Sequence, residues 1–173
     1  HSDAEVLVHL YEDYGVHCVD VLRGMFGFAI WDSRHRRLML ARDRFGIKPL
    51  SYAIKPGALF FGSELKSILA SGCIDRQVDA SAMKELFAVG FVQAPKTLLG
   101  SIRRLPPAHY LLHENGKITI QRYWDLSFPS MGEKGFQRSA QEWAEAVRHK
   151  LEESVRLHLR SDPRAGPPGP RSL

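Results

Sequence analysis

The amino-acid sequence predicts an α+β layered domain followed by the start of a second unit. Three observations carry this reading. Three strand pairs, each closed by a turn signal, lie between helical patterns. Of the 173 residues, 44% are apolar, 25% charged and 10% aromatic, which is ordinary globular composition and excludes wholesale disorder and collagen-like repeats. A polar stretch at 127–138, containing Pro129, Gly132 and Gly135, separates the strand-rich part from a long helical pattern.

Taken in order, Ser2-Asp3-Ala4-Glu5 has the form of a capping box. Val6, Leu7, Leu10, Tyr11 and Tyr14 then fall at helical spacing, and Gly15 is a natural stop. Residues 25–31 predict a strand. Phe26, Phe28 and Ile30 share one face, and Met25, Gly27, Ala29 and Trp31 the other. Both faces are apolar or small, so the strand is expected to lie buried between two layers. Asp32 to Arg36 is a polar turn, and Arg37 to Arg42 is the return strand.

Pro49 to Ile54 and Ala58 to Gly62 form a second hairpin around Lys55-Pro56-Gly57. Ser63 is placed to cap a short helix carrying Leu65, Ile68 and Leu69, and another short helix covers 81–88. The stretch 91–108 is loop-rich, with Pro95, Pro106 and Pro107. Tyr110 to Leu112 and Ile118 to Tyr123 make the third hairpin around Asn115-Gly116, since Asn-Gly is the strongest short hairpin signal. After the linker, Ser139-Ala140-Gln141-Glu142 is a second capping box. Trp143, Val147, Leu151 and Val155 follow as an apolar stripe that needs a partner surface. Pro and Gly take six of the eleven positions at 163–173, a tail unable to form helix or strand.

Composition also narrows function. No run of about 18 apolar residues occurs, so no membrane span is expected. No basic-then-apolar leader is visible at the start. Cys18 and Cys73 make neither a disulfide framework nor a metal spacing, which suits a reducing, cytoplasmic compartment. The formal charge is +5, from 24 basic and 19 acidic residues. Yet the basic run Arg34-His35-Arg36-Arg37 lacks the interleaved aromatics of a nucleic-acid patch and reads as a solvated hairpin tip. The eight histidines are scattered, so no metal site is expected.

Two places are candidates for chemistry. Asp3, in the first turn of a helix, is either a surface carboxylate complementing the helix dipole or a receiver for a substrate ammonium. The string Arg42-Asp43-Arg44-Phe45-Gly46-Ile47-Lys48-Pro49-Leu50 is either a salt-bridged turn that fixes a strand crossing or a ligand loop. Arg42, Asp43 and Gly46 form its candidate site-supporting part. Composition does not choose between these readings. Ser63-Glu64 reads as a helix start rather than a nucleophile and base. Cys18 and Cys73 sit among apolar residues and are expected to be buried, inert thiols.

Several strings together resemble the glutaminase domain of glutamine-hydrolysing asparagine synthetases. They are Ser2-Asp3-Ala4-Glu5-Val6-Leu7, Leu22 to Asp32, Ala41 to Leu50, Gly62-Ser63-Glu64-Leu65-Lys66, Gly90 to Thr97, Ile102 to Leu111, and Arg122-Tyr123-Trp124-Asp125. The Arg-Asp-x-x-Gly-Ile-x-Pro-Leu string occurs also in other class II amidotransferases. The Gln93-Ala94-Pro95-Lys96 and Arg104-Leu105-Pro106-Pro107 segments tilt the choice.

The resemblance implies an N-terminal-nucleophile hydrolase fold, an αββα sandwich of two antiparallel sheets between helical layers. Residues 1–126 would be a partial glutamine amidotransferase domain, incomplete at its N-terminus. Residues 127–138 would be a linker, and 139–162 the first helix of a truncated α/β synthetase domain. The anomalous tail 163–173 reads as a frameshift or a broken gene model. The resemblance further implies an N-terminal cysteine that attacks the glutamine amide, with its own α-amine as base. The ammonia released would amidate L-aspartate in an ATP- and Mg2+-dependent step.

Carried over by residue, Asp3 matches the aspartate that holds the glutamine ammonium. The cysteine itself would precede Asp3, and Cys18 and Cys73 lack a free α-amine. No catalytic residue is therefore assigned, and the chain alone is expected to be an inactive fragment needing no cofactor. L-glutamine is the expected ligand, with L-aspartate and ATP in the parent enzyme. Neither nucleic acid nor membrane is expected, and a homodimer is left open. A non-catalytic binding module with the same layout, or another class II amidotransferase, is the alternative.

Overall fold

The computed structural model describes residues 3–128 and 139–159, except for the side chain of Asp3. The expected cap at Ser2, the tail at 163–173 and all but the first two linker residues lie outside them. The chain divides into two compact units between Leu126 and Ser127.

The first unit opens with α1 (Asp3–Tyr14), as the 3.6-residue spacing predicts. Gly15, at φ 58°, ends it. The chain then continues through a 3-10 turn (Gly15–His17) into a four-residue helix, α2 (Cys18–Val21). The sequence reading missed both, because segments this short carry no periodicity.

Two antiparallel hairpins follow. Strands β1 (Gly27–Asp32) and β2 (Arg37–Arg42) make the first, and β3 (Ser51–Lys55) and β4 (Ala58–Gly62) the second. Helix α3 (Leu65–Leu69) starts after Glu64, which makes no side-chain capping bond. The expected Ser63 cap is thus corrected: Ser63 lies one residue too early. Helix α4 (Ala80–Val89) is capped by Asp79, whose carboxylate accepts from the Ser81 and Ala82 amides, and closed by Gly90 in the left-handed region.

Within the expected loop 91–108 the chain forms a two-residue strand, β5 (Arg103–Arg104), paired with β3. Strands β6 (His109–Glu114) and β7 (Lys117–Arg122) make the third hairpin. Asn115 and Gly116, at φ 51° and 74°, turn it, as Asn-Gly predicts.

Pairing gives a four-stranded sheet, β1-β2-β6-β7, and a three-stranded sheet, β4-β3-β5. Strand alternation then sorts the apolar residues into three clusters. On one face of the larger sheet, Met39, Ala41 and Tyr110 pack with Cys18, Val19, Leu10 and Tyr11 from the α1–α2 segment. On the other, Leu40 and Leu111 pack against Leu50, Tyr52 and Leu105 of the smaller sheet's side. Ala53, on the far face of the smaller sheet, packs with Ile68 of α3, Ile74 and Ile102. The layers therefore run helix, sheet, sheet, helix. The period of two lets one strand feed two cores at once.

One expectation is overturned. Strand β1 is not buried between layers. It is an edge strand whose exposure alternates, with Trp31 59% exposed. Gly27, Ala29 and Trp31 share the face of their pairing partners Arg42, Leu40 and Leu38, the face turned toward the smaller sheet. Gly27 is backed by Lys48, Pro49 and Leu50, but the smaller sheet's core residues otherwise meet β2 and β6, so Ala29 and Trp31 are left exposed. An apolar face in sequence is not a covered face; what lies over it is set by strand order.

The second unit contains α5 (Ala140–His158). Ser139 Oγ accepts from the Glu142 amide, and Glu142 Oε2 accepts from the Ser139 amide, the capping box read from sequence. Trp143, Val147, Leu151 and Val155 are exposed along this helix.

Two predictions follow from these contacts. Met39→Ala, at a fully buried position, should cost about 2–5 kcal/mol, read from urea unfolding midpoints. The Asp32 carboxylate accepts from the His35 and Arg34 amides, His35 Nδ1–H and Tyr11 Oη–H. The His35 bonds first, then Tyr11, hold its pKa down at about 2. A lowered carboxylate contributes stability that is complete above its unfolded pKa of about 3.9 and lost as pH falls toward the folded value. The midpoint gap between the native chain and Asp32→Asn should therefore be full at pH 5 and shrink between pH 4 and 2.

Candidate functional site

The loop after β2 is the most densely bonded polar feature of the first unit. Its sequence alternates a strand-end cation, an anion and a glycine, and each has a backbone task. Arg42 ends β2 with its side chain pointing between the sheets. Its Nε donates to the Lys48 carbonyl at 2.8 Å, one terminal nitrogen to Leu105 at 2.7 Å and the other to Gly46. Burial pushes the Arg42 pKa down, the nearby Asp43 charge opposes that, and Arg104 adds to it.

Asp43, only 1% exposed, accepts from the amides of Phe45, Ile47 and Lys48 at 3.2, 3.0 and 2.9 Å. Its own amide donates to Phe26, and its carbonyl accepts from Gly46 and Ala108. Tyr123 Oη–H reaches back to the Arg42 carbonyl at 2.8 Å. Burial raises that phenol's pKa to about 12, so it remains a donor at neutral pH.

Of the two sequence readings of this loop, the salt-bridged turn is modified. Among the described residues, Arg42 and Asp43 form no ion pair with each other; each saturates backbone groups instead. Together they tie the end of β2 to the start of β3, to the 105–108 segment and to the exit of β7. Gly46 is where the turn needs glycine. It sits at φ 65°, and a Cβ there would lie 2.8 Å from Pro107 Cγ and 3.0 Å from Arg42 Cζ. The loop turns other groups outward. Arg44 stands over the Trp124 ring at 5.7 Å and Phe45 meets the same ring edge-on, while Phe45 and Ile47 remain exposed.

The remaining sequence candidates are placed as follows. Asp3 is the first residue of α1, and its side chain lies outside the described residues. Cys18 is buried among Val19, Met39 and Tyr110, and burial raises its thiol to about 11. Cys73 corrects the expectation for it: it is exposed, in the turn after α3, with its amide donating to Ser71 Oγ. Asn115 turns a hairpin. The basic run at 34–37 is a solvated hairpin tip, as expected, with Arg34, His35 and Arg36 exposed and only Arg37 half-buried. His35 bonds Asp32 at 2.7 Å and Arg37 bonds Glu114 at 2.8 Å across the β2–β6 pair. Among the described residues, no His, Cys, Asp and Glu side chains group as a metal site, and no helix is long and apolar enough to cross a membrane.

Sequence reasoning also missed a polar cavity of about 370 Å3 lined by Arg42, Ser51, Ser63, Glu64 and Arg104 with Pro49, Leu50 and Leu65. Its residues are scattered over some sixty positions, and only the register of β4-β3-β5 joins them.

A substitution at Gly46 tests the loop. Gly46→Ala meets both a strained φ and a steric clash, whereas Gly57→Ala, at φ 75°, meets open space. Gly57→Ala should cost about 1 kcal/mol from backbone strain alone, and Gly46→Ala clearly more, compared by thermal melts of the two variants.

The family profile described as glutamine amidotransferase domain matches residues 1–124. The chain is 40% identical over 126 residues to glutamine-hydrolysing asparagine synthetase 3 of Bacillus subtilis (strain 168), a match covering 72% of this chain and 20% of that protein. It is 34% identical over 162 residues to asparagine synthetase 1 of the same organism, covering 93% and 25%. It is also 35% identical over 162 residues to amidase chry2 of Gibberella zeae, covering 93% and 23%. The chain thus spans about a fifth to a quarter of the length of these relatives. The profile match ends at Trp124, beside the unit boundary at Leu126, so the matched residues and the layered unit are nearly the same stretch of chain: this chain belongs to the glutamine amidotransferase domain family.

Proposed function

We propose that residues 1–126 form the glutamine-recognition part of an amidotransferase of the asparagine synthetase type, with an N-terminal-nucleophile hydrolase fold. In the longer parent enzyme, glutamine hydrolysis supplies ammonia, and an ATP- and Mg2+-dependent step uses it to amidate L-aspartate. The single observation that supports the reading most is the coincidence of the profile match, 1–124, with the helix-sheet-sheet-helix unit.

In this reading Asp3, at the start of α1, receives the glutamine ammonium. The Arg42-Asp43-Gly46 knot acts as scaffold: it fixes the two sheets relative to each other, so that residues on either sheet keep their separation when substrate binds. Neither cysteine suits attack on an amide. Cys18 is fully buried with its pKa raised to about 11, so its thiolate is scarce at neutral pH. Both cysteines are internal and lack the α-amine that serves as base in the family. The nucleophile is accordingly assigned to a preceding segment of a longer polypeptide, and α5 to the start of the synthetase part.

The test has two parts. The 173-residue chain should release no glutamate from glutamine, while a longer polypeptide that includes the preceding segment should. In that longer polypeptide, Asp3→Ala should weaken glutamine binding about 10- to 100-fold, the range for a charge-assisted hydrogen bond worth roughly 1.5–3 kcal/mol. Turnover by the 173-residue chain, or glutamine binding indifferent to Asp3→Ala, would overturn the assignment.

A further inference from the structure

The cavity beside the Arg42 knot has features that packing alone does not use. Across the three strands of the smaller sheet, Gly62, Ser51 and Arg104 pair in one row, so Ser51 has no side chain on one side and a guanidinium on the other. Ser51 is 3% exposed, yet among the described residues its hydroxyl has no hydrogen-bond partner. That hydroxyl is not among the enclosed unpaired atoms, and the residue lines a cavity rather than a packed core, so a ligand can reach it there.

The cavity carries both signs of charge. Arg42 lines it with donors left over from its three carbonyl bonds. Arg104 spends one bond on the Val92 carbonyl at 3.2 Å and keeps the rest of its fork. The two cations are near enough that Arg104 helps push the Arg42 pKa down, a repulsion that an anion between them would relieve. Glu64 lines the same cavity, and its ion pair to Lys66 at 2.7 Å is solvent-exposed and easily exchanged.

We infer that this cavity binds a free α-amino acid as its zwitterion: the carboxylate sits between Arg104 and Arg42 and accepts from the Ser51 hydroxyl, and the ammonium faces Glu64. The site is distinct from the glutamine recognition assigned to Asp3, and neither reading depends on the other.

The experiment titrates the 173-residue chain with glycine, acetate and methylamine, followed by amide chemical shifts of residues 50–52, 62–65 and 104. Glycine carries both charges and no side chain. It should shift these amides at least tenfold more tightly than acetate or methylamine. Ser51→Ala and Arg104→Met should each weaken glycine about tenfold, while Asp3→Ala leaves it unchanged. Arg104 and Ser51 are chosen because neither holds the loop. The circular-dichroism melt of each variant is compared with the parent, and Arg104→Lys, which keeps the charge, should restore part of the affinity. Acetate binding as tightly as glycine, shifts abolished by Asp3→Ala, or no saturable shift with any probe would each overturn the proposal.

Discussion

The structure of the first unit depends on one buried guanidinium. Arg42 finishes a strand of the larger sheet and spends three donors on carbonyls of Lys48, Leu105 and Gly46, of which Gly46 and Lys48 precede β3 of the smaller sheet and Leu105 follows its β5. Asp43 complements it by taking three amides of the same turn. A charge placed between two sheets is costly unless its hydrogen bonds are satisfied. Here three of its donors meet backbone carbonyls that would otherwise be orphaned in a tight turn. Neither half of the arrangement works alone: without Arg42 three carbonyls lose their donor, and without Asp43 three amides lose their acceptor.

Around this knot the apolar residues need only alternate. Met39 and Leu40 are adjacent in sequence and belong to different cores. Tyr52 and Ala53 divide in the same way. Two strands therefore link three hydrophobic clusters, and the knot sets the distance between the sheets that the middle cluster fills. The layers at the outside are thinner. The α1–α2 segment covers one face with Leu10, Tyr11, Cys18 and Val19, and short α3 covers part of the other with Ile68.

Much of this was legible in the sequence. The three hairpins follow from turn chemistry, and Asn115-Gly116 and Lys55-Pro56-Gly57 announce two of them because few residues tolerate those dihedrals. Helix α1 follows from the spacing of its apolar residues, and the start of α5 at Ala140 from the Ser139 capping box. The misreadings share one cause. Strand β1 looked doubly buried because both its faces are apolar, and Cys73 looked buried because its neighbours are apolar. Local composition reports what a residue tolerates, whereas burial depends on which distant segment arrives above it. Even Ser63, a good cap by type, lost its role to a one-residue shift in where α3 begins.

The sequence by itself determined the strands, the turns, the family resemblance and the importance of the Arg42-Asp43-Gly46 string, because each is encoded in contiguous residues. Only the tertiary structure decided what that string does. Whether a charged pair bonds to itself, to a ligand or to backbone depends on carbonyls and amides up to sixty-three positions away, and those are invisible to any local pattern. The same holds for the Ser51 cavity. Ser51, Gly62 and Arg104 become neighbours only through strand register, and the cavity that Ser51 and Arg104 line is formed only when the layers come together.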